Sequence, residues 1–157
     1  IVSVGDDLGG QSGPLLSPAM YRAMIKPYQA RVYEYIRNHS SAYLFLHSCG
    51  SIAALIPDLI EIGVDVLNPI QPDVMDPGEL KEKYGNRIAF WGTVGSQTLW
   101  AWGRPSDIER EVKLRIETVG RGGGFVISPA YDIDLMEIPL DNIAAFIEAA
   151  KKFGNYS

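Results

Sequence analysis

The residues best suited to chemistry are His47-Ser48-Cys49, directly after the apolar run Tyr43–Leu46. That run reads as a strand, and in extended chain residues i and i+2 share a side. The imidazole and the thiol therefore project together, with Leu46 and Ser48 on the other side. One imidazole nitrogen beside one thiolate sulfur is half of a mixed-ligand zinc site, and bound zinc would keep the thiol deprotonated near neutral pH. Two other readings stand beside it: a buried cysteine next to a hydrogen-bonded histidine, and a Cys–His nucleophile pair, for which no oxyanion hole is evident nearby.

Three more polar clusters and a group of tryptophans follow apolar runs. Asp6-Asp7 come after Ile1–Val4 and could orient a substrate or serve as acid or base, or simply bond a turn. Asn68-Pro69-Ile70-Gln71-Pro72 offers two amides to a polar ligand or to loop backbone. Trp91, Trp100 and Trp102 lie near the fourth run, as an apolar wall for a flat ligand if exposed, or as core or subunit contact if buried. Tyr131, Asp132, Asp134 and Glu137 follow the fifth run and could complete a metal shell or form a solvated loop. The glycines of Gly5–Gly13 do not fit GxGxxG and no GK[ST] follows, which excludes dinucleotide and P-loop readings.

The elements that must position these residues are short β-type runs alternating with helical patterns. Expected strands are Ile1–Val4, Tyr43–Leu46, Val64–Leu67, Ile88–Trp91 and Phe125–Ile127. Ser17-Pro18 opens a helix carrying Met20, Met24, Ala30, Tyr33 and Ile36 at helical spacing, with Pro27 as a kink. Ser51 caps Ile52–Ile62, which ends at Gly63. Asp76-Pro77 starts a helix to Tyr84, Ser106 caps Asp107–Val119, and Leu140 or Asp141 starts the last helix. Apolar strands between helices predict a parallel sheet covered on both faces. The candidates are an open doubly wound sheet and a piece of a (β/α)8 TIM barrel. Every polar cluster follows a strand's C-terminal end, where barrel enzymes build active sites, which favours the barrel piece.

The chain has 157 residues, 46% hydrophobic and 21% charged, with a net charge of -5 and a mean hydropathy of zero. This is a single globular domain by composition. No apolar run reaches the ~18 residues of a membrane helix, no signal peptide is evident, and 14 basic residues give no footprint for nucleic acid. The single cysteine excludes an internal disulfide and fits a reducing cytoplasm. An Ile at position 1, inside an apparent strand, suggests a fragment. A full barrel takes roughly 250 residues, so five β units cannot close one.

Several stretches together resemble the uroporphyrinogen decarboxylase (URO-D) superfamily: Gly-Asp-Asp-Leu-Gly-Gly-Gln-Ser-Gly-Pro-Leu-Leu-Ser-Pro from Gly5, Lys26-Pro27-Tyr28, His-Ser-Cys-Gly-Ser-Ile from His47, Ile56 to Pro72, and Phe90-Trp91-Gly92. The resemblance runs from Val2 to Gly154 and is to the C-terminal half of that family's (β/α)8 barrels, about five β/α units, so it implies that an N-terminal half is absent. The family has two main branches. Its decarboxylases convert uroporphyrinogen without metal or cofactor. Its corrinoid-linked methyltransferases carry a zinc site with a His-x-Cys signature and activate a thiol. The resemblance therefore implies zinc at His47 and Cys49, a methylcobamide on a corrinoid partner protein as methyl source, and a small-molecule thiol substrate. Asp6, Asp7 and Tyr131 become catalytic candidates, and Asn68, Gln71, Trp91 and Asp132 substrate-binding ones. The branch's third ligand is a cysteine in a Pro-x-Cys context; here the segment reads Pro129-Ala130-Tyr131, with Tyr131 or Asp132 to stand in. The decarboxylase branch would use Asp6 or Asp7, but its histidine near Tyr131 is absent and its principal acid and arginine belong to the N-terminal half. A non-catalytic barrel-half module is the remaining reading. Such a half exposes two sheet edges, which two copies could cover by pairing as a homodimer.

Overall fold

The computed structural model describes residues 1–95, 97–131 and 137–155. Its strands are β1 (Val2–Gly5), β2 (Leu44–His47), β3 (Val66–Ile70), β4 (Ala89–Val94) and β5 (Phe125–Pro129). They form one sheet in the order β1-β2-β3-β4-β5, every pair parallel. A doubly wound sheet reverses its strand order at a switch point. This one never does, so it is a run of consecutive β/α units of a (β/α)8 barrel.

The two faces of the sheet differ. Leu44, Leu46, Leu67 and Phe90 are fully buried among helix residues such as Ile56, Leu59 and Leu80. The alternate positions Phe45, His47, Asn68 and Trp91 are only half-buried. The near-continuous apolar strands arise because this second face is the barrel's inner face, which is also apolar in part.

Helices follow the capping chemistry with some shifts. Ser17 caps α1 (Pro18–Met24), its side chain accepting from Met20 N–H at 3.2 Å. Pro27 does more than kink the chain, because α2 (Lys26–His39) starts there as a separate helix. The buried residues of this pair are Tyr21 and Tyr33, while Met20 and Met24 are exposed. Ser51 caps no helix. It bridges to Gly10, and the chain makes a 3-10 turn, Ala53–Leu55, before α3 (Ile56–Glu61) begins with Pro57 in its first turn. Asp76 caps α4 (Pro77–Tyr84) as expected, accepting from the N–H groups of Gly78 and Glu79. A short helix, α5 (Gln97–Trp102), was not expected. The next, α6 (Pro105–Thr118), is capped at Arg104, whose N–H donates to Asp107, so Ser106 is already inside it. The last is α7 (Leu140–Phe153). Strands β3 and β4 run on past the residues expected to end them, through Asn68-Pro69 and through Gly92.

Candidate metal and substrate site

Register brings the site together. Gly5 pairs with His47, and His47 with Asn68, so the ends of β1, β2 and β3 lie side by side. The i, i+2 expectation for β2 holds: Cys49 Sγ lies 3.4 Å from His47 Nε2. Ser48 points the other way, is fully buried, and accepts from the Leu8 N–H at 3.0 Å.

The imidazole is oriented by Asn68. Its amide Nδ2 donates to the Trp91 carbonyl at 3.2 Å, which turns Oδ1 toward His47 Nδ1 at 2.8 Å. An amide oxygen can only accept, so Nδ1 carries the proton and the Nε2 lone pair faces Cys49.

Asp7 joins them. Its Oδ1 accepts from the Cys49 N–H at 2.9 Å and lies 4.0 Å from His47 Nε2. The ligand atoms of Asp7, His47 and Cys49 all lie within 4.8 Å of one another, the one such grouping among the described residues. The loop after β1 is held against the loop after β2 by backbone bonds from Asp6 to His47 and from Ser51 to Gly10. At their crossing Gly9 and Gly50 touch: a Cβ on Gly50 would lie 2.4 Å from the Gly9 carbonyl carbon, and one on Gly9 2.6 Å from the Cys49 oxygen.

Asp6 is not brought into this group. Its Oδ2 accepts from Gln29 Nε2 at 2.8 Å, and Gln29 accepts from the Tyr21 hydroxyl at 2.7 Å, so it faces α2. Gln71 is buried and accepts the Gly50 N–H, which makes it a brace for the loop carrying Cys49. Trp91 packs edge-on against Phe45, with ring centroids 5.2 Å apart, and forms part of the inner wall. Trp100 is core, donating to the Val94 carbonyl, and Trp102 is exposed. Tyr131 donates its hydroxyl to Asp73, a residue sequence reasoning did not single out although it stands two positions after Gln71. Burial above all, then the Asp73 hydrogen bond and charge and the charge of Cys49, push the Tyr131 hydroxyl well above its usual range, against a smaller opposite pull from Gln71. Asp132 lies outside the described residues.

The donor set suits zinc. Bond lengths of about 2.3 Å to sulfur and 2.0–2.1 Å to nitrogen at a tetrahedral angle place the two donors roughly 3.5 Å apart, close to the observed 3.4 Å.

Comparison with known proteins agrees with the fold. The family model described as uroporphyrinogen decarboxylase (URO-D) matches residues 1–153. The chain belongs to that family. Among its curated relatives is "Methylcobamide:CoM methyltransferase MtaA" from Methanosarcina barkeri, 27% identical over 153 residues, which are 98% of this chain and 42% of that protein. Another is a uroporphyrinogen decarboxylase from Nostoc punctiforme, 26% identical over 97% of this chain and 40% of that protein. The chain thus spans less than half the length of these URO-D relatives. A solved structure described as a methyltransferase from Methanosarcina mazei superposes with a TM-score of 0.76 at 23% identity, covering 98% of this chain and 42% of that one. At that identity the likeness speaks for the barrel fold.

Proposed function

We propose that this chain is the C-terminal half of a zinc-dependent, cytoplasmic thiol methyltransferase of the URO-D family, with His47 and Cys49 as metal ligands and a methylcobamide-carrying corrinoid protein as methyl source. The observation that carries the reading is the 3.4 Å approach of Cys49 Sγ to His47 Nε2 at the C-terminal edge of the sheet. The relative named a methylcobamide:CoM methyltransferase supports it. When bound, zinc lowers the pKa of a thiol and holds it as a nucleophile. The chain's own residues do the rest. Asn68 fixes the imidazole tautomer, Gln71 and Asp7 hold the backbone around Cys49, and Trp91 and Phe45 wall the inner face where a substrate would lie. A cytoplasmic setting keeps the one cysteine reduced, as a ligand must be.

The test is methyl transfer from a methylated corrinoid protein to a small thiol, with His47→Ala and Cys49→Ser in the full-length protein. The reading predicts loss of transfer and of zinc in both. Unchanged transfer and zinc in Cys49→Ser would overturn Cys49 as a ligand, and a wild-type protein with neither zinc nor methyl transfer would return the metal-free decarboxylase reading, for which Tyr131 in place of a third cysteine is the favouring feature. The strand edges at β1 and β5 are, in this reading, paired with the remaining strands of the barrel.

A further inference from the structure

The zinc reading leaves a ligand unaccounted for, and the structure supplies one. We propose that Asp7 is the third protein ligand of the site, doing the work that a cysteine does in the methyltransferase pattern; the proposal rests on the zinc reading above. Among the described residues Asp7 completes the one grouping of three metal-ligating side chains, all donor atoms within 4.8 Å. Zinc takes carboxylate oxygen as well as nitrogen and sulfur, and a tetrahedral oxygen–nitrogen pair stands about 3.4 Å apart. The Asp7 Oδ1 to His47 Nε2 separation is 4.0 Å and all three donors lie within 4.8 Å of one another, so a shift of about an ångström brings Asp7 onto a metal shared with His47 and Cys49.

Charge points the same way. Zinc with the Cys49 thiolate, the Asp7 carboxylate and a neutral imidazole sums to zero, as it would with two thiolates. Tyr131 is already committed to Asp73, to which it donates its hydroxyl. The carboxylate is also held where it is needed: the Cys49 N–H itself binds it, and the Gly9–Gly50 contact locks its loop to the cysteine's. Asp7 and His47 keep 63% and 43% of their side-chain surface open, and three protein ligands with an open fourth position is the arrangement of catalytic zinc, here the place for the substrate thiol.

Two variants of the full-length protein test this by metal binding alone. Asp7→Asn keeps the oxygen that accepts the Cys49 N–H and removes the charge. Zinc affinity, read by competition with a chromophoric chelator, is expected to fall by at least roughly 100-fold, beyond the loss typical of an outer partner. Asp7→Cys offers sulfur at the same position, and X-ray absorption at the zinc edge is expected to show two sulfur ligands where the wild type shows one. Wild-type affinity in Asp7→Asn, or a single sulfur in zinc-loaded Asp7→Cys, would overturn the proposal while Cys49→Ser still lost zinc and the zinc reading stood. A wild-type protein that binds no zinc would overturn both.

Discussion

His47 can serve a metal only if its Nε2 lone pair faces Cys49, and that depends on a residue that touches no metal. Asn68 supplies the orientation through its bond to Nδ1, and it is itself aimed by the Trp91 carbonyl. Asn68→Ala should therefore weaken zinc binding by about 10–100-fold, the usual cost of losing such a partner, while leaving the fold intact by circular dichroism; an unaltered zinc affinity would show that the tautomer needs no help. At this scale the sequence was informative about pairs on one strand and silent about pairs between strands. His47 and Cys49 follow from the i, i+2 rule alone. That Asp7 faces them and Asp6 does not depends on the register of β1 against β2, Gly5 opposite His47, and no spacing within a single run encodes register. Asp73 was missed for the same reason, since its meaning comes from Tyr131, 58 residues away.

Between elements, two contacts hold the site's surroundings. The loops after β1 and β2 cross at Gly9 and Gly50, where an added Cβ would meet backbone at 2.6 Å or less. Gly9→Ala should push the Asp7 loop off the Cys49 loop and lower zinc affinity without touching a ligand, a change that chelator competition would read; wild-type affinity would mean that the loops adjust independently. Away from the site, Asp58 ties α3 to α1 and α2. It accepts from Arg22 Nε at 2.9 Å and from Lys26 Nζ at 2.8 Å, and it is buried. Hydrogen bonding from Arg22, with the bond from Lys26 and both charges, holds its carboxyl below the usual carboxylate value against the opposing effect of burial. A depressed folded-state pKa contributes stability that is present above the unfolded value, 3.8, and is lost as pH falls through the folded value. Asp58→Asn should cost roughly 1–3 kcal/mol at pH 7, and the gap from wild type in urea midpoint should close below about pH 4; a gap independent of pH would mean that packing, not charge, is what the substitution removes. Helix starts were legible where a cap and a proline coincide, at Ser17-Pro18 and Asp76-Pro77. They were misplaced at Ser51 and Ser106, where backbone pairing and the Arg104–Asp107 bond took over the capping.

For the molecule as a whole, the alternation of apolar strands and helices identified a parallel α/β sheet, and the polar clusters at strand C-termini favoured the barrel over the doubly wound sheet. The sequential strand order decides between them. What composition could not reveal is that one face is the inner wall of a barrel, because inner barrel positions are as apolar as helix-facing ones. That wall is where His47, Asn68 and Trp91 stand, and the open edges of β1 and β5 flank it. Expressed alone, the 157-residue chain should cover those edges by self-pairing, so light scattering should report a mass above the monomer; a stable monomer would discard the homodimer. The central claim, however, is that this sheet holds a metal. The most direct measurement is zinc per chain, by elemental analysis, on full-length protein purified without added metal or chelator. The account predicts close to one zinc in the wild type and essentially none in Cys49→Ser; a folded wild-type protein with no zinc would contradict it.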